Sequence, residues 1–464
     1  MTQSLQDLID QSGNAVDLLR NSTIGAYTYP VVPPEFSNWR REMRAWREGV
    51  VLFDQSHHML TMFVNGPDAL KLISDTAVNS VANFPVNTAK QYVPVSPDGY
   101  VIGDAILFRM AEDSFILIGR STGPNWLEYN AKLGNYDVVI ERDERSPART
   151  FGKAVTRKHW RYQIQGPNAW KLIEKLNGGP YEQTKFFTIG EMKIAGTPAW
   201  TLRHGMAGAP GLELWGPYEN YDLVRETILA AGEEFDLEQC GSRTYAPATF
   251  ESGWIPSPLP AVYAGDSMRP YREYLPAQGF EGLNSLAGSF VSKNVEDYFL
   301  TPWDLGYGGF VKFDHDFIGR DALEKIDPSA QRRKVTLAFN SDDLTKIYAS
   351  QFTDDPFLGF EQPLANYGAW QYDTVLDQND NQVGFSLYAG YSENEQIGLS
   401  LGSVSPEVKL GDEVRVIWGE PDGGSKKTTI MPHRQTEIRA RIAPVPISTA
   451  ARGEYHQGWR TTAV

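Results

Sequence analysis

Two adjacent histidines follow a short apolar run near the start of the chain. Residues 50–53 (Val-Val-Leu-Phe) are β-branched and aromatic, which is typical of a buried strand. His57 and His58 come just after this run, next to Gln55 and Ser56. Side chains from neighbouring elements meet at strand ends, and sites tend to lie there. The pattern therefore predicts a polar site, with the alternative that these groups only satisfy backbone partners.

A second candidate is Arg120, which follows another predicted strand at residues 115–118. The chain has a formal charge of -15, so an anionic small molecule has to be met by individually placed cations. An arginine pairs with a carboxylate through two charge-assisted hydrogen bonds. Arg120 is therefore expected to bind a carboxylate, unless it is an ordinary solvated loop arginine.

A glycine-rich stretch at residues 203–211 could be mistaken for a phosphate-binding loop, because its glycines recur every three residues. The residues that follow, 212–215, predict a strand and not a helix, so no helix N-terminus faces the loop and a dinucleotide site is excluded. Glu213 lies in that strand. Its carboxylate can accept two parallel hydrogen bonds from a ligand edge, or it is an ordinary strand carboxylate.

The elements around these residues are readable from their periodicity. Residues 38–47 predict an amphipathic helix that ends at Gly49. Residues 24–32 predict an extended segment with Tyr27 and Tyr29 on one face, as core residues or as a pocket wall. Residues 65–73 recur as 165–173, with a weaker third copy at 318–326, which predicts repeated strand-to-helix units. In the first two copies a Gly-Pro turn is expected to start the helix.

The order of elements predicts the domain organisation. Strands are expected at residues 91–95, 101–108 and 114–118, and with the repeated units they indicate an α+β region over 1–330, not a doubly wound α/β fold. From residue 331 to 450 the expected strands (334–339, 383–387, 398–404 and 413–418) have no helical periodicity between them, which favours an all-β barrel domain. Residues 451–464 lack periodicity and are expected to form a tail.

Composition excludes several classes of protein. The net charge and the scattered Lys and Arg argue against a nucleic-acid partner. No apolar run reaches the roughly 20 residues of a membrane helix, and Asp7 and Asp10 stand where a signal peptide would be basic or apolar, so a cytoplasmic protein is expected. Cys240 is the single cysteine, so no internal disulfide is possible, and no set of metal ligands is predicted.

Several of these motifs, in this order, resemble those of one family. Residues 52–57 with 66–69, the glycine-rich loop followed by Gly-x-Glu, residues 245–253, and residues 306–313 with 317–323 are similar to the glycine-cleavage T-protein (aminomethyltransferase) family of folate-dependent enzymes. The resemblance is closest to its tetrahydrofolate-dependent aryl O-demethylases, of the vanillate/3-O-methylgallate type. It implies a T-protein-like three-domain arrangement, in which two interleaved α+β units with antiparallel sheets precede a C-terminal β-barrel.

The resemblance also implies roles for individual residues. Glu213 is expected to bind the pterin ring of tetrahydrofolate, and Gln165 and Trp254 are further expected folate contacts. Tyr245 and His58 are the expected catalytic residues, with Tyr245 nearest the ether oxygen. The expected substrate-binding residues are Tyr29, Gln55, His58, Arg120 and Tyr245, and the expected ligands are a small aromatic carboxylate and tetrahydrofolate.

Departures from the T-protein pattern point to the substrate. A paired Asp-Asp of T-proteins reads Gly103-Asp104 here, and two family arginines are replaced by Tyr245 and Thr249. A site with one carboxylate fewer and with Arg120 nearby favours an anionic methoxybenzoate over an aminomethyl group. Vanillate, 3-O-methylgallate, syringate and chlorinated methoxybenzoates such as dicamba stay open.

Two other functions stay open as well. The first is aminomethyl transfer in glycine cleavage. The second is a folate-binding regulator without turnover, but such relatives keep a reactive cysteine motif that Cys240 does not supply.

Overall fold

The computed structural model describes residues 3–147, 154–256, 258–421, 423–424, 427 and 429–461. Within those ranges the protein has an α+β architecture with a six-stranded sheet, a five-stranded sheet and a closed six-stranded barrel. The expected α+β fold with a C-terminal barrel is therefore confirmed. None of the helices in these ranges has the length and apolar character needed to cross a bilayer.

The strands of the six-stranded sheet come from two distant parts of the chain. They are β1 (Val50–Asp54), β7 (His159–Gln165), β8 (Ile189–Ile194), β9 (Thr197–Arg203), β10 (Gly211–Pro217) and β11 (Leu237–Cys240). The spatial order is β11-β1-β7-β10-β9-β8, and β1 pairs antiparallel with β7 but parallel with β11. The strand predicted at residues 50–53 is thus enclosed between two neighbours, which explains why its residues are uniformly apolar.

The five-stranded sheet is inserted between β1 and β7. It contains β2 (Leu60–Asn65), β3 (Thr88–Tyr92), β4 (Ala105–Ala111), β5 (Ser114–Gly119) and β6 (Val139–Asp143) in the order β3-β4-β5-β2-β6. Its face packs on the first sheet through a buried cluster that includes Phe108 and Ile118 from one side and Leu202 and Trp215 from the other. The ends of β1 and β5, with the polar residues that follow them, therefore lie near one another.

Helices cover the outer faces of both sheets and join them to the barrel. In the described residues they are α1 (Leu5–Ser12), α2 (Ala15–Arg20), α3 (Trp39–Glu48), α4 (Ala69–Thr76), α5 (Thr122–Leu133), α6 (Ala169–Asn177), α7 (Tyr221–Gly232), α8 (Tyr245–Ser252), α9 (Arg269–Tyr274), α10 (Arg320–Leu323) and α11 (Ser341–Ser350). Helix α3 follows the predicted pattern: Asn38 caps it and it buries Trp39, Met43 and Trp46.

The first two copies of the repeat have the same backbone geometry. After β2 and after β7 the chain turns at Gly66 and Gly166, with φ of 139° and 132°, before α4 and α6. A Cβ at either glycine would lie 2.3 or 2.4 Å from a backbone oxygen, so both turns require glycine. The helices begin two residues after Pro67 and Pro167. At the third copy Gly319 precedes only the short α10, and no described strand leads into it.

The barrel consists of β13 (Arg333–Phe339), β15 (Asp373–Leu376), β16 (Gln382–Ser392), β17 (Ile397–Val404), β18 (Glu413–Trp418) and β19 (Thr436–Ala443). A short parallel pair, β12 (Leu286–Ala287) with β14 (Trp370–Gln371), links it to the preceding region. Helix α11 lies in a stretch that the sequence predicted to be all-β. The domain boundaries at 330 and 450 stay predictions.

The last described segment is more ordered than the predicted tail. Residues Ala451–Trp459 form a π-helix, called here the C-terminal helix, in which Ala451 and Tyr455 are buried. It packs on the glycine-rich loop between β9 and β10, where Tyr455 exchanges two hydrogen bonds with the backbone of Gly205. Sequence periodicity could not reveal this segment because its order depends on contacts with that distant loop.

Candidate functional site

A central cavity of about 280 Å³ lies where the two sheets, α8 and the C-terminal helix meet. Seven of the eight residues predicted for the site line it, and they come from six different segments. These residues are Tyr29, Gln55, His58, Arg120, Glu213, Tyr245 and Trp254. The structure therefore gathers residues that are far apart in sequence, although their individual roles stay predictions.

Gln165 is the exception, because it does not line the cavity. Its side-chain oxygen accepts a hydrogen bond of 2.8 Å from the N–H of Ala207, in the glycine-rich loop. Its side chain is fully buried at the end of β7. Gln165 therefore supports the loop from behind, and the expected direct folate contact is not part of this geometry.

The two adjacent histidines lie in different environments. His57 points away from the cavity, where its Nδ1 is 3.0 Å from the Ser146 hydroxyl and its Nε2 is 3.3 Å from the Tyr218 hydroxyl. His58 lines the cavity, with its ring 5.2 Å from the ring of Tyr29 and 5.3 Å from that of Tyr245. Of the pair, only His58 is placed to meet a ligand.

Burial keeps His58 neutral. Desolvation, together with the nearby guanidinium groups of Arg157 and Arg120, lowers the pKa of His58 from 6.5 to about 3. A neutral imidazole has one donor and one acceptor nitrogen. His58 can therefore hydrogen-bond a ring hydroxyl of a ligand, but it is not an imidazolium acid near neutral pH.

Tyr245 is the first residue of α8, and Thr249 and Ser252 line the cavity from the same helix face. The Tyr245 hydroxyl donates a hydrogen bond to the backbone carbonyl of Asp54 at the end of β1. Burial, and then the negative charge of Asp54, raise the pKa of Tyr245 well above its ordinary value. The hydroxyl therefore stays protonated and is a fixed hydrogen-bonding group.

Arg120 follows β5 and is half-buried at the cavity wall. Its guanidinium carbon lies 5.2 Å from the centre of the Tyr27 ring. Among the described residues no carboxylate pairs with it. The same guanidinium also lines a small adjoining cavity beside Tyr388 of β16 and Trp370 of β14. An arginine without a carboxylate partner in so acidic a chain is what an anionic ligand requires.

Glu213 lies in the middle of β10 and already has a cationic partner. One carboxylate oxygen accepts a hydrogen bond from Arg161, and the other is 3.6 Å from Nδ1 of His204. Burial raises the pKa of Glu213, but Arg161 and His204 outweigh burial and lower it to about 2. The carboxylate is therefore ionised, and its His204 side offers an acceptor to a ligand.

A chain of polar side chains joins Glu213 to the strand end where the two histidines lie. Gln55 donates a hydrogen bond of 2.9 Å to Gln163, which lies 3.3 Å from Nδ1 of His204. Gln163 is the partner of Glu213 in the pairing of β7 with β10. The two predicted ends of the site are thus connected through one buried network.

Asp104, just before β4, is the second carboxylate of the cavity. One of its oxygens accepts hydrogen bonds from the indole N–H of Trp254 at 3.0 Å, the hydroxyl of Tyr307 at 2.8 Å and the side chain of Gln91 at 2.9 Å. The sequence identified Asp104 as the surviving member of a family pair, but assigned no role to Tyr307 or Gln91. Tyr307 belongs to the 306–313 motif, one of those that carry the family resemblance.

Sequence reasoning missed one side of the cavity entirely. Phe186, Phe187 and His204 line it together with Tyr455, His456 and Arg460 of the C-terminal segment. The aromatic and cationic residues in 455–460 were the only available signal.

The hydrogen-bond acceptors of the cavity fit a reduced folate. A pterin edge carries several N–H donors, and the cavity presents to it the ionised Glu213 and the buried carboxylate Asp104. Aromatic rings from Phe186, Phe187 and Trp254 provide flat surfaces for its rings.

Comparisons with known proteins identify the family of the chain. Residues 22–257 match the family model described as the GCVT N-terminal domain. The chain is 46% identical over 463 residues to the syringate O-demethylase of Sphingobium sp. strain SYK-6, covering 99% of each chain. It is 25% identical to the sesamin methylene transferase of Sinomonas sp. strain No.22, over 87% of this chain and 90% of that one.

The fold comparison points the same way. The crystal structure of the glycine cleavage system aminomethyltransferase T from Bartonella henselae superposes with a TM-score of 0.58 at 18% identity, covering 92% of this chain and 95% of that one. The family model over residues 22–257 and the relative of 46% identity show that the protein belongs to the GCVT family, so the family predicted from its motifs is confirmed.

Proposed function

We propose that the protein is a tetrahydrofolate-dependent O-demethylase that transfers the methyl group of a methoxybenzoate to N5 of tetrahydrofolate, leaving a phenol. The observation that carries this proposal is Arg120, a cavity arginine with no carboxylate partner among the described residues. Syringate is the first candidate substrate because the relative that is 46% identical is named for it. Vanillate, 3-O-methylgallate and dicamba present the same carboxylate beside a methoxy ring.

The reaction balances without a redox partner. The C–O bond of the methyl ether breaks and its electron pair stays on the aryl oxygen. Tetrahydrofolate supplies the N5 amine that takes the methyl group and releases its proton. The aryl oxygen finally gains one proton, which gives the phenol. The task of the protein is to hold the two reactants in line and to stabilise a leaving phenolate whose conjugate acid has a pKa of roughly 10.

In this proposal Arg120 binds the carboxylate of the aromatic substrate. With that end held, His58 and Gln55 are the polar groups available to the ring hydroxyl, and Tyr29 forms the wall beside them. The ring of Tyr245 packs against both Tyr29 and His58, with ring centres 4.7 and 5.3 Å apart. In this proposal its hydroxyl is the group nearest the ether oxygen.

Tyr245 acts in this proposal as a hydrogen-bond donor and not as a proton source. In the free protein its hydroxyl donates to the neutral carbonyl of Asp54. A negatively charged oxygen is a stronger acceptor than a carbonyl, so charge developing on the aryl oxygen draws the hydrogen bond toward itself. An interaction that strengthens only as the bond breaks raises kcat instead of only tightening binding.

The decisive experiment is incubation of the protein with tetrahydrofolate and a panel of methoxybenzoates, with chromatographic detection of 5-methyltetrahydrofolate. We expect equal amounts of phenol and methylated folate from at least one acid of the panel, and much less from the matching neutral methoxyphenol. Absence of methylated folate with every acid would overturn the proposal. Aminomethyl transfer is the competing activity, and the same assay with an aminomethyl donor tests it.

A further inference from the structure

The C-terminal helix is hydrogen-bonded to the glycine-rich loop that precedes Glu213. The Tyr455 hydroxyl donates to the Gly205 carbonyl at 2.9 Å and accepts from the Gly205 N–H at 3.0 Å. Arg203, the last residue of β9, donates to the carbonyl of Trp459, and its guanidinium carbon lies 4.3 Å from the centre of the Trp459 ring. These contacts hold the helix as one wall of the cavity.

Arg460, just after that helix, presents a positive charge to the cavity. Its guanidinium carbon lies 4.0 Å from the centre of the Phe186 ring, and one of its nitrogens is 2.8 Å from Nδ1 of His456. In the described part of the chain it has no carboxylate partner. Burial, and then the charge of Arg460, lower the pKa of His456 to about 4. His456 is therefore a neutral partner that leaves the charge of Arg460 uncompensated.

Within the described residues, the cavity is thus lined by two arginines without carboxylate partners, and the two have separate surroundings. Arg120 lies beside Tyr27 and the barrel residue Tyr388, whereas Arg460 lies beside Phe186 and the C-terminal helix. A benzoate has one carboxylate and needs one of them. The other reactant of the proposed reaction also carries carboxylates, on the glutamyl group that an aromatic amide joins to its pterin.

We propose that the C-terminal helix completes the folate site and that Arg460 binds a carboxylate of the glutamyl group. This inference rests on the proposed function. The stacked pair Phe186 and Phe187, with ring centres 4.4 Å apart, gives the cavity an apolar aromatic wall beside Arg460, which suits the aromatic amide next to that carboxylate. Charge is matched along the ligand, since pterin N–H groups meet Glu213 and the anionic end meets Arg460.

The test compares two ligands that differ in the anionic end. Tetrahydrofolate carries the glutamyl group, and 6-methyltetrahydropterin lacks both it and the aromatic amide. The variant is Arg460→Met, which removes the charge but keeps an unbranched chain on Phe186. We expect anaerobic calorimetry on the full chain to show about 10-fold weaker tetrahydrofolate binding, the lower end for loss of a charged hydrogen bond. Affinity for 6-methyltetrahydropterin and for the methoxybenzoate should not change.

Two further variants exclude a purely structural effect. Gln457→Ala removes an exposed side chain of the same helix and should bind both ligands as the parent does. Arg460→Lys keeps a positive charge and should recover part of the lost affinity.

Three results would overturn the inference: equal losses for both pterins, no loss for either, or a loss confined to the methoxybenzoate. Failure of the parent to bind tetrahydrofolate at all would instead refute the proposed function.

Discussion

At the scale of single residues, Arg120 gives the sharpest test of substrate choice. Arg120→Ala removes the charge expected to pair with the benzoate carboxylate. We predict that KM for methoxybenzoates rises about 10-fold to 150-fold, the range for losing a charged hydrogen-bonding partner. The neutral methoxyphenol, already a poor substrate, should lose little more. Steady-state kinetics on both substrates measure the difference.

A neighbouring arginine provides the matched control for this prediction. The guanidinium carbon of Arg145 lies 5.8 Å from the ring of the same Tyr27, but Arg145 does not line the cavity. Arg145→Ala should therefore change KM for acid and neutral substrates alike, or not at all. Equal losses on both substrates in Arg120→Ala would show that Arg120 stabilises the fold and does not select the substrate.

Tyr245 tests the proposed chemistry. Tyr245→Phe keeps the packed ring and removes the hydroxyl that is bonded to the Asp54 carbonyl. We predict a kcat lower by roughly 10²-fold to 10³-fold, as for loss of one oxyanion donor, with nearly unchanged binding of both reactants. The defect should shrink for rings with electron-withdrawing groups, because a more acidic phenol needs less stabilisation as it leaves.

Single-turnover methyl transfer across a series of ring substituents measures the Tyr245 effect. A defect of constant size for all substituents, or one confined to KM, would make Tyr245 only a wall of the cavity. The hydrogen-bonding role toward the leaving oxygen would then pass to His58, whose ring is 5.3 Å away.

The residue scale also shows where sequence reasoning ends. The run His57-His58 could be predicted as polar and site-forming, but not which ring faces the ligand. That choice depends on Ser146 and Tyr218, which are distant in sequence and whose hydroxyls contact the ring nitrogens of His57. For Gln165 the same limit applies, since only the folded loop shows that its side chain binds the Ala207 N–H.

At the scale of elements, the turn at Gly166, in the second copy of the repeat, packs against the backbone just before β1, the strand that leads into the site. Its φ is 132°, and a Cβ there would lie 2.4 Å from the carbonyl oxygen of Gly49, just before β1. Gly166→Ala should therefore combine backbone strain with a backbone clash and lower the free energy of unfolding by about 3 kcal/mol or more. Gly196, with φ of 77° and open space around its Cβ position, is the control.

The control separates strain from clash. Gly196→Ala should cost about 1 kcal/mol, from backbone conformation alone. Urea unfolding of both variants gives the comparison. Similar losses at the two glycines would mean that β1 shifts freely to accommodate the new methyl group, and that the repeat does not fix the position of the strand end.

Elements with a local signal were predictable, and those held by distant contacts were not. Helix α3 and strands β1, β5, β17 and β18 carry caps or β-branched runs that define them locally. The C-terminal helix has no such signal, because contacts with distant residues hold it, such as the one between Tyr455 and Gly205, which are 250 residues apart. Helix α11 was not predicted, because the strands expected on either side of it favoured an all-β domain.

At the scale of the whole molecule, the cavity is a junction of segments that no local pattern joins. Arg120, Glu213, Tyr245 and Arg460 come from the second sheet, the first sheet, α8 and the C-terminal segment. The motifs and their family resemblance could assign most of these residues to one site, because motifs in the same order as in the family imply the same fold. The resemblance could not supply Arg460, which lies outside the matched motifs.

Burying His58 in a neutral state has a consequence for the stability of the whole protein. Its pKa is about 3 in the folded protein and 6.5 when unperturbed. Between these values the unfolded chain binds a proton that the folded protein excludes. Above pH 6.5 His58 is neutral in both states and does not lower the free energy of unfolding. Below pH 6.5 that free energy falls progressively as the pH falls toward 3. The loss from this one group reaches about 2 kcal/mol at pH 5.

We predict that His58→Gln, which cannot be protonated in this range, flattens the acid side of the stability profile. Urea unfolding at pH 7, 6 and 5 should show a fall in unfolding free energy that is smaller than the parent's by about 2 kcal/mol. Tyr29→Phe is the control, because the ring of Tyr29 packs against His58 with ring centres 5.2 Å apart and the Tyr29 hydroxyl does not ionise in this range. Parallel profiles for His58→Gln and the parent would contradict the neutral, desolvated state of His58. Protonated His58 would then again be a candidate for the group that protonates the leaving oxygen.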